Sequence, residues 1–180
     1  SGTPPLNANG SVPLQVVASD GNASVADLFT LNVTSVNDAP AGADKTVTTT
    51  EDTAYTFTAA DFGFSDPSDS PANALLAVKI TTLPGVGTLT DNNVALTAGQ
   101  SVSAADIAGG LLKFTPAANA NGSGYANFTF QVQDNGGTAN GGIDLDPSAN
   151  TITVNVTSVN DAPVVSGPVT LVSIAEDSGP

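Results

Sequence analysis

The side chains of this sequence that could do chemistry are almost all carboxylates and carboxamides. Fifteen Asp and two Glu stand against three Lys, with no Arg, His or Cys, and the formal net charge is −14. The absent residue types exclude thiol catalysis, histidine general-base catalysis, disulfides and tetrahedral zinc sites. Calcium takes about six to eight oxygen ligands from carboxylates, amides and carbonyls. The composition therefore predicts either a cation partner, with Asp-rich turns suited to divalent-cation ligands, or a protein kept soluble in salty surroundings by its charge.

These acids and amides recur in a fixed order along the chain. The segment LNVTSVNDAPA at 31–41 returns 123 residues later as VNVTSVNDAPV at 154–164. Each copy follows a turn that carries an acid, Asp20 in the first and Asp134 in the second. Each copy is followed by a Glu-Asp pair that begins at Glu51 or at Glu176. Three landmarks in the same order, twice, predict tandem repeats.

The repeat predicts that the chain is out of register with its domains. Residues 1–37 are interpreted as the last two strands of a preceding repeat, 38–161 as a complete repeat, and 162–180 as the first strand of a following repeat. An isolated hairpin is marginally stable in water, so we expect the end pieces to be ordered only where neighbouring copies complete them. No apolar run is long enough for a transmembrane helix. No signal peptide is visible, and the start in mid-pattern suggests a portion of a longer protein.

Alternation of apolar and polar residues predicts about seven short strands, the number typical of a β-sandwich. Leu76, Val78 and Ile80 are predicted to share one face, with Lys79 on the other. Ser103 to Asp106 resembles a capping box that starts a short helix, which Gly109 and Gly110 can end. The predicted strands cover 46–50, 54–60, 75–83, 87–90, 94–96, 112–115, 125–133 and 151–157, and the strands 87–90 and 94–96 form a short hairpin around Asp91-Asn92-Asn93.

The segment Val36-Asn37-Asp38-Ala39-Pro40, which returns at 159–163, resembles the linker signature of cadherin repeats. The whole chain is similar to the cadherin-like tandem repeats of giant bacterial surface adhesins of the RTX and biofilm type. The resemblance extends to the Glu51-Asp52 pair and to the segments 64–67, 109–119 and 134–137. It implies an all-β, cadherin-like or immunoglobulin-like Greek-key sandwich at the bacterial cell surface.

The resemblance also implies calcium at the domain junctions, where the ion stiffens the rod. At one end, the linker pair Asn37 and Asp38 is expected to meet Asp66 and Asp134. At the other end, Glu51 is expected to meet Asn160 and Asp161, with further ligands from the next repeat. The cadherin turn usually has the pattern Asp-x-Asp, but here the second acid, Asp69, comes three residues after Asp66 instead of two. Ser35 and Ser158 occupy the linker position, two residues before the Asn, where the family has an acid. We therefore expect one or two ions for each junction rather than the three of animal cadherins.

Each candidate ligand also has a purely structural interpretation. Asn-Asp-Ala-Pro can be an ordinary turn whose Asp caps backbone amides. Asp66 and Asp69 can be solvated turn residues. Asp144 and Asp146 form an Asp-x-Asp pair that could ligate a cation, but the 135–149 loop favours solvation. Turns and helix caps account for Asp61 and Asp106.

The leading functional hypothesis is a structural extender that holds another module away from a cell surface and is rigidified by calcium. One alternative is a filament subunit completed by strand exchange between neighbours. Another is a repeat that binds glycan or protein through the 135–149 loop and the Tyr125 region. The expected partners are neighbouring repeats, with cell-surface glycan or protein reached through other modules. Binding of nucleic acid is excluded, because contacts to phosphates need Lys and Arg and the chain has only three Lys. Membrane insertion is not expected. Enzymatic activity is the weakest of the functional interpretations.

Overall fold

The computed structural model describes residues 3, 5, 7–163, 167 and 176, and it is built almost entirely of β-strands. A hairpin of β1 (Gly10–Ser19) and β2 (Ser24–Val33) comes first and forms a two-stranded sheet of its own. The rest of the described chain forms a two-sheet unit. The strand predicted within 162–180 lies outside the described residues, apart from isolated positions.

The two sheets of this unit share nine strands in the described part of the chain. One sheet contains β3 (Lys45–Thr50), β5 (Leu75–Ile80), β8 (Ser101–Ser103), β10 (Gly122–Asp134) and β11 (Asn150–Thr157), in the order β3-β11-β10-β5-β8. The other contains β4 (Tyr55–Thr56), β6 (Thr88–Asp91), β7 (Val94–Ala95) and β9 (Leu112–Thr115), in the order β4-β9-β6-β7. Neighbours are antiparallel except β3 and β11, which pair in parallel. The predicted all-β sandwich is confirmed.

Local signals explain where the strands differ from the prediction. The strand predicted over 54–60 ends at Thr56, because Thr58 and Asp61 cap a 3₁₀ turn at Ala59–Phe62. Asn92 and Asn93 both have positive φ, which closes the β6–β7 hairpin with the tight turn that Asn accommodates. As predicted, Ser103 caps the helix α1 (Ala104–Ala108) by accepting a hydrogen bond from the amide of Asp106.

The core lies between the two sheets and is filled by side chains from alternating positions of the strands, which face inward. Phe128, Phe130 and Val132 of β10 are fully buried, and Ile152 and Val154 of β11 lie beside them. Phe57 meets Phe128 edge to face with ring centroids 5.6 Å apart, a favoured aromatic geometry. The same inward phase ends at Asp134, so a carboxylate occupies the last core position of β10.

One register prediction was wrong, and the error falls beside that carboxylate. Val78 and Ile80 are buried as expected, but Leu76 is 48% exposed. Gln133 pairs with Ala77 and Asp134 pairs with Leu75, so Leu76 is the extra residue of a bulge. The bulge changes the direction of the sheet edge at the end of β10, where Asp134 lies.

The separate hairpin repeats the pairing of β10 with β11. Leu14 pairs with Phe29, and at the equivalent repeat positions Phe128 pairs with Ile152. One face of the hairpin, its apolar face, carries Val12, Leu14, Val16, Ala18, Val25, Phe29, Leu31 and Val33, together with Asp27, which pairs with Val16. The equivalent face of β10 and β11 is largely buried in the core, whereas the face of the hairpin is exposed apart from the half-buried Val33. The same pattern of residues is therefore present once with a covering sheet and once without.

This difference in cover predicts different costs for truncating two equivalent side chains. Ile152→Ala removes a fully buried side chain, and we expect it to lower the free energy of unfolding by about 2–5 kcal/mol. Phe29→Ala removes a side chain that is 49% exposed and should change the unfolding of the two-sheet unit by less than about 0.5 kcal/mol. Urea denaturation of both variants measures the difference, and equal losses would contradict the assignment of the core.

Candidate functional site

The linker residues 37–44 are bound to the two-sheet unit along most of their length. Ala41 and Ser65 exchange two backbone hydrogen bonds of 2.8 Å, and the amide of Ala43 donates to the carbonyl of Phe62. Pro40 is buried. We call this end of the sandwich, where residues 37–44 enter and β10 ends, the front end. The segment that the sequence suggests as a linker is thus an integral part of the domain that follows it.

The side chain of Asn37 lies at the centre of the front end. Its Nδ2 donates to Asp134 Oδ1 at 3.0 Å, to Asp134 Oδ2 at 3.3 Å and to the carbonyl of Ile143 at 2.7 Å. Its Oδ1 accepts from Asn73 Nδ2. The backbone carbonyl of Asn37 accepts from the amide of Ile143 at 3.0 Å. Asn37 is therefore fixed through both its side chain and its backbone.

The turn after β10 leaves room for this carboxamide. A Cβ atom on Gly136 would overlap the Asn37 side chain, so only glycine fits at position 136 with Asn37 in place. The amide of Gly136 also donates to Asp134 Oδ1 at 2.8 Å. The Asp134-Asn135-Gly136-Gly137 turn is therefore shaped around the linker residue that it binds.

Two carboxylates are buried at the front end beside Asn37. Asp134 is fully buried, and Asp66 is 6% exposed. Asp66 Oδ2 accepts from the amide of Asn73 at 2.6 Å. Asp66 Oδ1 is buried and has no hydrogen-bond partner among the described residues. The interpretation of Asp66 as a solvated turn residue was therefore wrong, because the turn after the 3₁₀ segment folds its side chain inward.

The electrostatics of the front end show that these carboxylates interact. Burial raises the pKa of Asp134, and the nearby carboxylates of Asp66 and Asp144 raise it further. Hydrogen bonds from Gly136 and Asn37 act in the opposite direction and lower this pKa. The net direction is upward, so negative charge at the end of β10 is incompletely compensated by the protein.

Asp38 and Asp69 lie at the outer rim of the front end. The amide of Asp38 donates to Asp69 Oδ2 at 2.9 Å. Both residues line an open cleft of about 400 Å³ between the front end and the base of the hairpin. Asp69, which does not fit the Asp-x-Asp pattern, therefore contacts the linker through the backbone amide of Asp38.

The front end contains the ligand types that calcium prefers, but its described side chains are not arranged around a common point. Two buried carboxylates, one orphaned oxygen and a carboxamide meet there, which suits an oxygen-seeking divalent cation. No group of three or more acidic side chains converges on one point among the described residues. Asn37 turns its NH2 group, not its oxygen, toward Asp134. A rotation of this carboxamide would exchange a hydrogen-bond donor for a metal ligand.

Asp146 has a structural role at the front end, and its oxygens are used in hydrogen bonds within the protein. The sequence favours a solvated loop here, yet Asp146 is 2% exposed. Its two oxygens accept hydrogen bonds from the amide of Gly42, from the amide and hydroxyl of Ser148 and from Asn150 Nδ2. The solvated interpretation was wrong because this carboxylate fastens the 135–149 loop to the linker. Its neighbour Asp144 accepts from Gln133 Nε2 at 3.0 Å.

At the opposite end of the sandwich, the rear end, Glu51 binds the outgoing chain. Glu51 is buried, and its Oε1 accepts from the amide of Val159 at 2.6 Å. Its Oε2 accepts from Asn121 Nδ2 at 2.8 Å. Asn160 and Asp161 are exposed, and within the described chain no hydrogen bond joins their side chains to Glu51. The structure thus brings Glu51 to the outgoing linker, but to its backbone one residue before the predicted ligand pair.

Sequence reasoning missed Asn73 and the carbonyl of Ile143. Asn73 lies in a Ser-, Pro- and Asn-rich loop between Asp66 and β5, where no periodic pattern distinguishes one polar residue from another. Ile143 contributes its backbone, which no side-chain pattern reports. Only the length of the 135–149 loop, which must fold back over the front end, pointed toward this region.

The raised pKa of Asp134 generates a prediction on pH. A carboxyl whose folded-state pKa lies above its unfolded-state pKa favours folding when protonated, so its contribution to stability falls as pH rises between the two values. In chelator, the free energy of unfolding of the wild type, measured relative to that of Asp134→Asn, should therefore decrease as pH rises from about 4 toward neutrality. Urea denaturation along a pH series measures this difference.

The matched control for this series is Asp27→Asn in the exposed hairpin. This variant retains Asp134, so the effect of the raised Asp134 pKa should cancel when its free energy of unfolding is compared with that of the wild type. A wild-type chain that gained stability relative to Asp134→Asn as pH rose would contradict the sign of the shift.

Comparison with known families adds one match. A family model described as a bacterial Ig domain matches residues 37–157, which is two thirds of the chain and begins at Asn37. No curated protein and no solved structure matches the chain. Within the described residues, no helix has the length and apolar character needed to cross a membrane.

Proposed function

The chain belongs to the bacterial Ig domain family, and on that premise we propose that it is a spacer segment of a repetitive surface adhesin, stiffened by calcium at its junctions. Bacterial Ig domains are commonly modules of surface proteins and are typically non-enzymatic. The finer likeness to cadherin-like repeats of giant adhesins is part of the proposal. It rests on the linker sequence and on the acids at the two ends of the sandwich.

The observation that carries the calcium proposal is the orphaned oxygen of Asp66. Asp66 Oδ1 is buried without a partner in the described part of the chain, and the carboxylate acts on that of the fully buried Asp134. Leaving a buried charged acceptor unsatisfied costs more than about 1–3 kcal/mol. A divalent cation between the two carboxylates would satisfy the oxygen and remove their repulsion.

Asp66, Asp134 and Asn37 are the proposed first ligands, with Asn37 turning its carboxamide oxygen toward the ion. Asp38 and Asp69 supply further carboxylates at the rim of the cleft. At the rear end, Glu51, Asn160 and Asp161 would form the corresponding half of the next junction. Each Glu51 oxygen accepts one hydrogen bond and retains a lone pair for a cation.

The positions of these groups support the spacer role. Both acid clusters are at the ends of a sandwich whose chain enters at one end and leaves at the other. A cation bound there restrains the connection between units, whereas a cation bound on a side would not. A chain with a net charge of −14 also gains from cations that reduce its self-repulsion.

The hairpin supports the repetitive arrangement. Its strand register and its apolar face match those of β10 and β11, so we assign β1 and β2 as the last two strands of a preceding unit of the same fold. The covering strands of that unit would be equivalent to β3–β9. A filament built by strand exchange would instead cover this face with a neighbouring copy, and concentration-dependent association of the chain would support that alternative.

The glycan-binding alternative has less support. The ring of Tyr125 packs edge to face against Phe114 with centroids 6.3 Å apart. Its hydroxyl accepts from the amide of Ala117 at 3.1 Å. This aromatic side chain is therefore partly buried and committed to the fold, and it does not offer a free stacking surface.

Calcium should raise the melting temperature of the chain. A ligand that binds only the native state at 100 times its dissociation constant stabilises by about 2.7 kcal/mol. We expect a clear rise in melting temperature between chelator and millimolar calcium, and its loss in Asp66→Asn. Differential scanning calorimetry of both chains measures it.

Asp27→Asn is the control for this experiment, because it removes one negative charge from the exposed hairpin and none from the front end. It should retain the full calcium effect. A rise of equal size in Asp66→Asn would show nonspecific charge screening and would rule out the front-end site.

A further inference from the structure

The two ends of the two-sheet unit show complementary halves of one junction. At the front end the hydrogen bonds described above begin at Asn37, and Thr34, Ser35 and Val36 have no such bonds to the unit among the described residues. At the rear end the equivalent residues Thr157, Ser158 and Val159 leave the same unit, and the last of them is held by Glu51. The repeat of 123 residues makes Val36 equivalent to Val159, and Asn37 equivalent to Asn160.

Placing the two halves on one linker leaves no unattached residue between consecutive units. We propose that each junction is a metal-independent clamp, in which Glu51 of one unit holds the linker Val and the front end of the next unit holds the linker Asn that follows it. The partner surface is the front end of another repeat of this same fold. This inference rests on the proposed spacer role and concerns what fixes the spacer before any cation binds.

The rear half of the clamp is a set of bonds to the backbone. Glu51 Oε1 accepts from the amide of Val159 at 2.6 Å, and the amide of Glu51 donates to the carbonyl of Thr157 at 2.9 Å. The hydroxyl of Thr157 donates to the carbonyl of Thr49 at 3.2 Å. The carboxylate is buried and is held from behind by Asn121. A hydrogen bond from a backbone amide to a buried, oriented carboxylate is among the stronger ones in proteins.

The front half holds the next residue of the linker by both its backbone and its side chain. Ile143 donates to the carbonyl of Asn37, and the Asn37 carboxamide donates to Asp134 and to Ile143. The next amide, that of Asp38, donates to Asp69. Rotation of the carboxamide toward a cation would leave the backbone bonds from Ile143 and Asp38 in place. The clamp is therefore compatible with the proposed cation site and does not depend on it.

Adjacent anchor points leave little freedom between the two units. The Cα atoms of consecutive residues are about 3.8 Å apart, and each residue has two soft backbone dihedrals. Here the two residues are a β-branched Val, which favours extended backbone, and an Asn whose carbonyl is bonded. The Ala-Pro that follows is restricted as well, because proline fixes its own φ and limits the residue before it.

Two half-exposed apolar side chains flank the joint. Val159 is 51% exposed at the rear end, and Ile143 is 53% exposed at the front end. In a clamped junction Val159 of one unit would lie one residue from the Asn that Ile143 of the next unit binds. Burial of both side chains would add an apolar contact to the hydrogen bonds.

The rear half can be tested on this chain directly. In chelator, the amide of Val159 should exchange slowly with solvent, whereas that of Asn160 should exchange freely. Glu51→Ala should accelerate exchange at Val159 by about ten- to a hundredfold, the range expected for loss of a hydrogen bond to a charged group. An unprotected Val159 amide in the unaltered chain would overturn the proposal even if Glu51→Ala failed to fold.

The whole junction is tested by lengthening the chain by one repeat. Residues 1–160 followed by residues 38–180 reproduce the Asn37–Asp38 sequence at the joint. The sequence has no Cys, so Ala105→Cys in both repeats gives two specific sites on exposed helix positions for spin labels. Pulsed electron paramagnetic resonance then measures the distribution of distances between the repeats in chelator and in calcium.

We expect a distance distribution that has a single narrow peak in chelator and narrows further in calcium, and a broad distribution in chelator after Glu51→Ala in the first repeat. Asp52→Asn is the control, since Asp52 accepts a hydrogen bond from the amide of Asn119 and not from the linker. A narrow distribution that survives Glu51→Ala would overturn the role of Glu51. A distribution that is broad in chelator and narrow in calcium would overturn the clamp but keep the spacer. One that is broad in both conditions would overturn the proposed spacer as well.

Discussion

The architecture of the front end depends on one constraint, the burial of a carboxylate at the last core position of β10. Asp134 continues the inward phase of Phe128, Phe130 and Val132, so the sheet cannot end there without donors for its oxygens. Those donors come from Gly136 and from Asn37, which is nearly a hundred residues away in sequence. The need to satisfy this one group explains why the incoming linker, the turn after β10 and the long loop over it are packed together.

The same constraint connects folding to function. Hydrogen bonds lower the pKa of Asp134, yet burial and two nearby carboxylates leave it raised, and Asp66 retains an oxygen with no partner among the described residues. The front end is therefore stable enough to hold the linker but is still electrostatically strained. Under the proposed function, a cation bound there would relieve that strain at the point where one unit meets the next, which is where a spacer benefits from rigidity. Asp146, by contrast, is fully satisfied by four donors, and it fastens the loop without inviting a ligand.

Much of the fold could be predicted from the sequence because its signals are local and repeated. The local sequence is enough to predict the strands β10 and β11 from their alternation, the start of helix α1 from Ser103, and the hairpin turn from Asn92 and Asn93. The internal repeat identified the two residues that bind the chain at the two ends of the sandwich, the linker Asn and the Glu at the end of β3. What could not be predicted depends on tertiary packing. The bulge at Leu76 comes from a pairing register, the burial of Asp146 comes from a loop folding back, and the role of Asn73 comes from proximity alone.

The proposed cation, bound between Asp66 and Asp134, would displace the NH2 group of Asn37. The most direct measurement is a calcium titration followed by nitrogen-15 NMR of the Asn37 side-chain amide, with the side-chain amide of Asn22 in the exposed hairpin turn as internal reference. The Asn37 NH2 signals should shift and lose their protection from exchange as calcium binds, while those of Asn22 should stay unchanged. Saturation with calcium that left the Asn37 signals in place would contradict the proposed site.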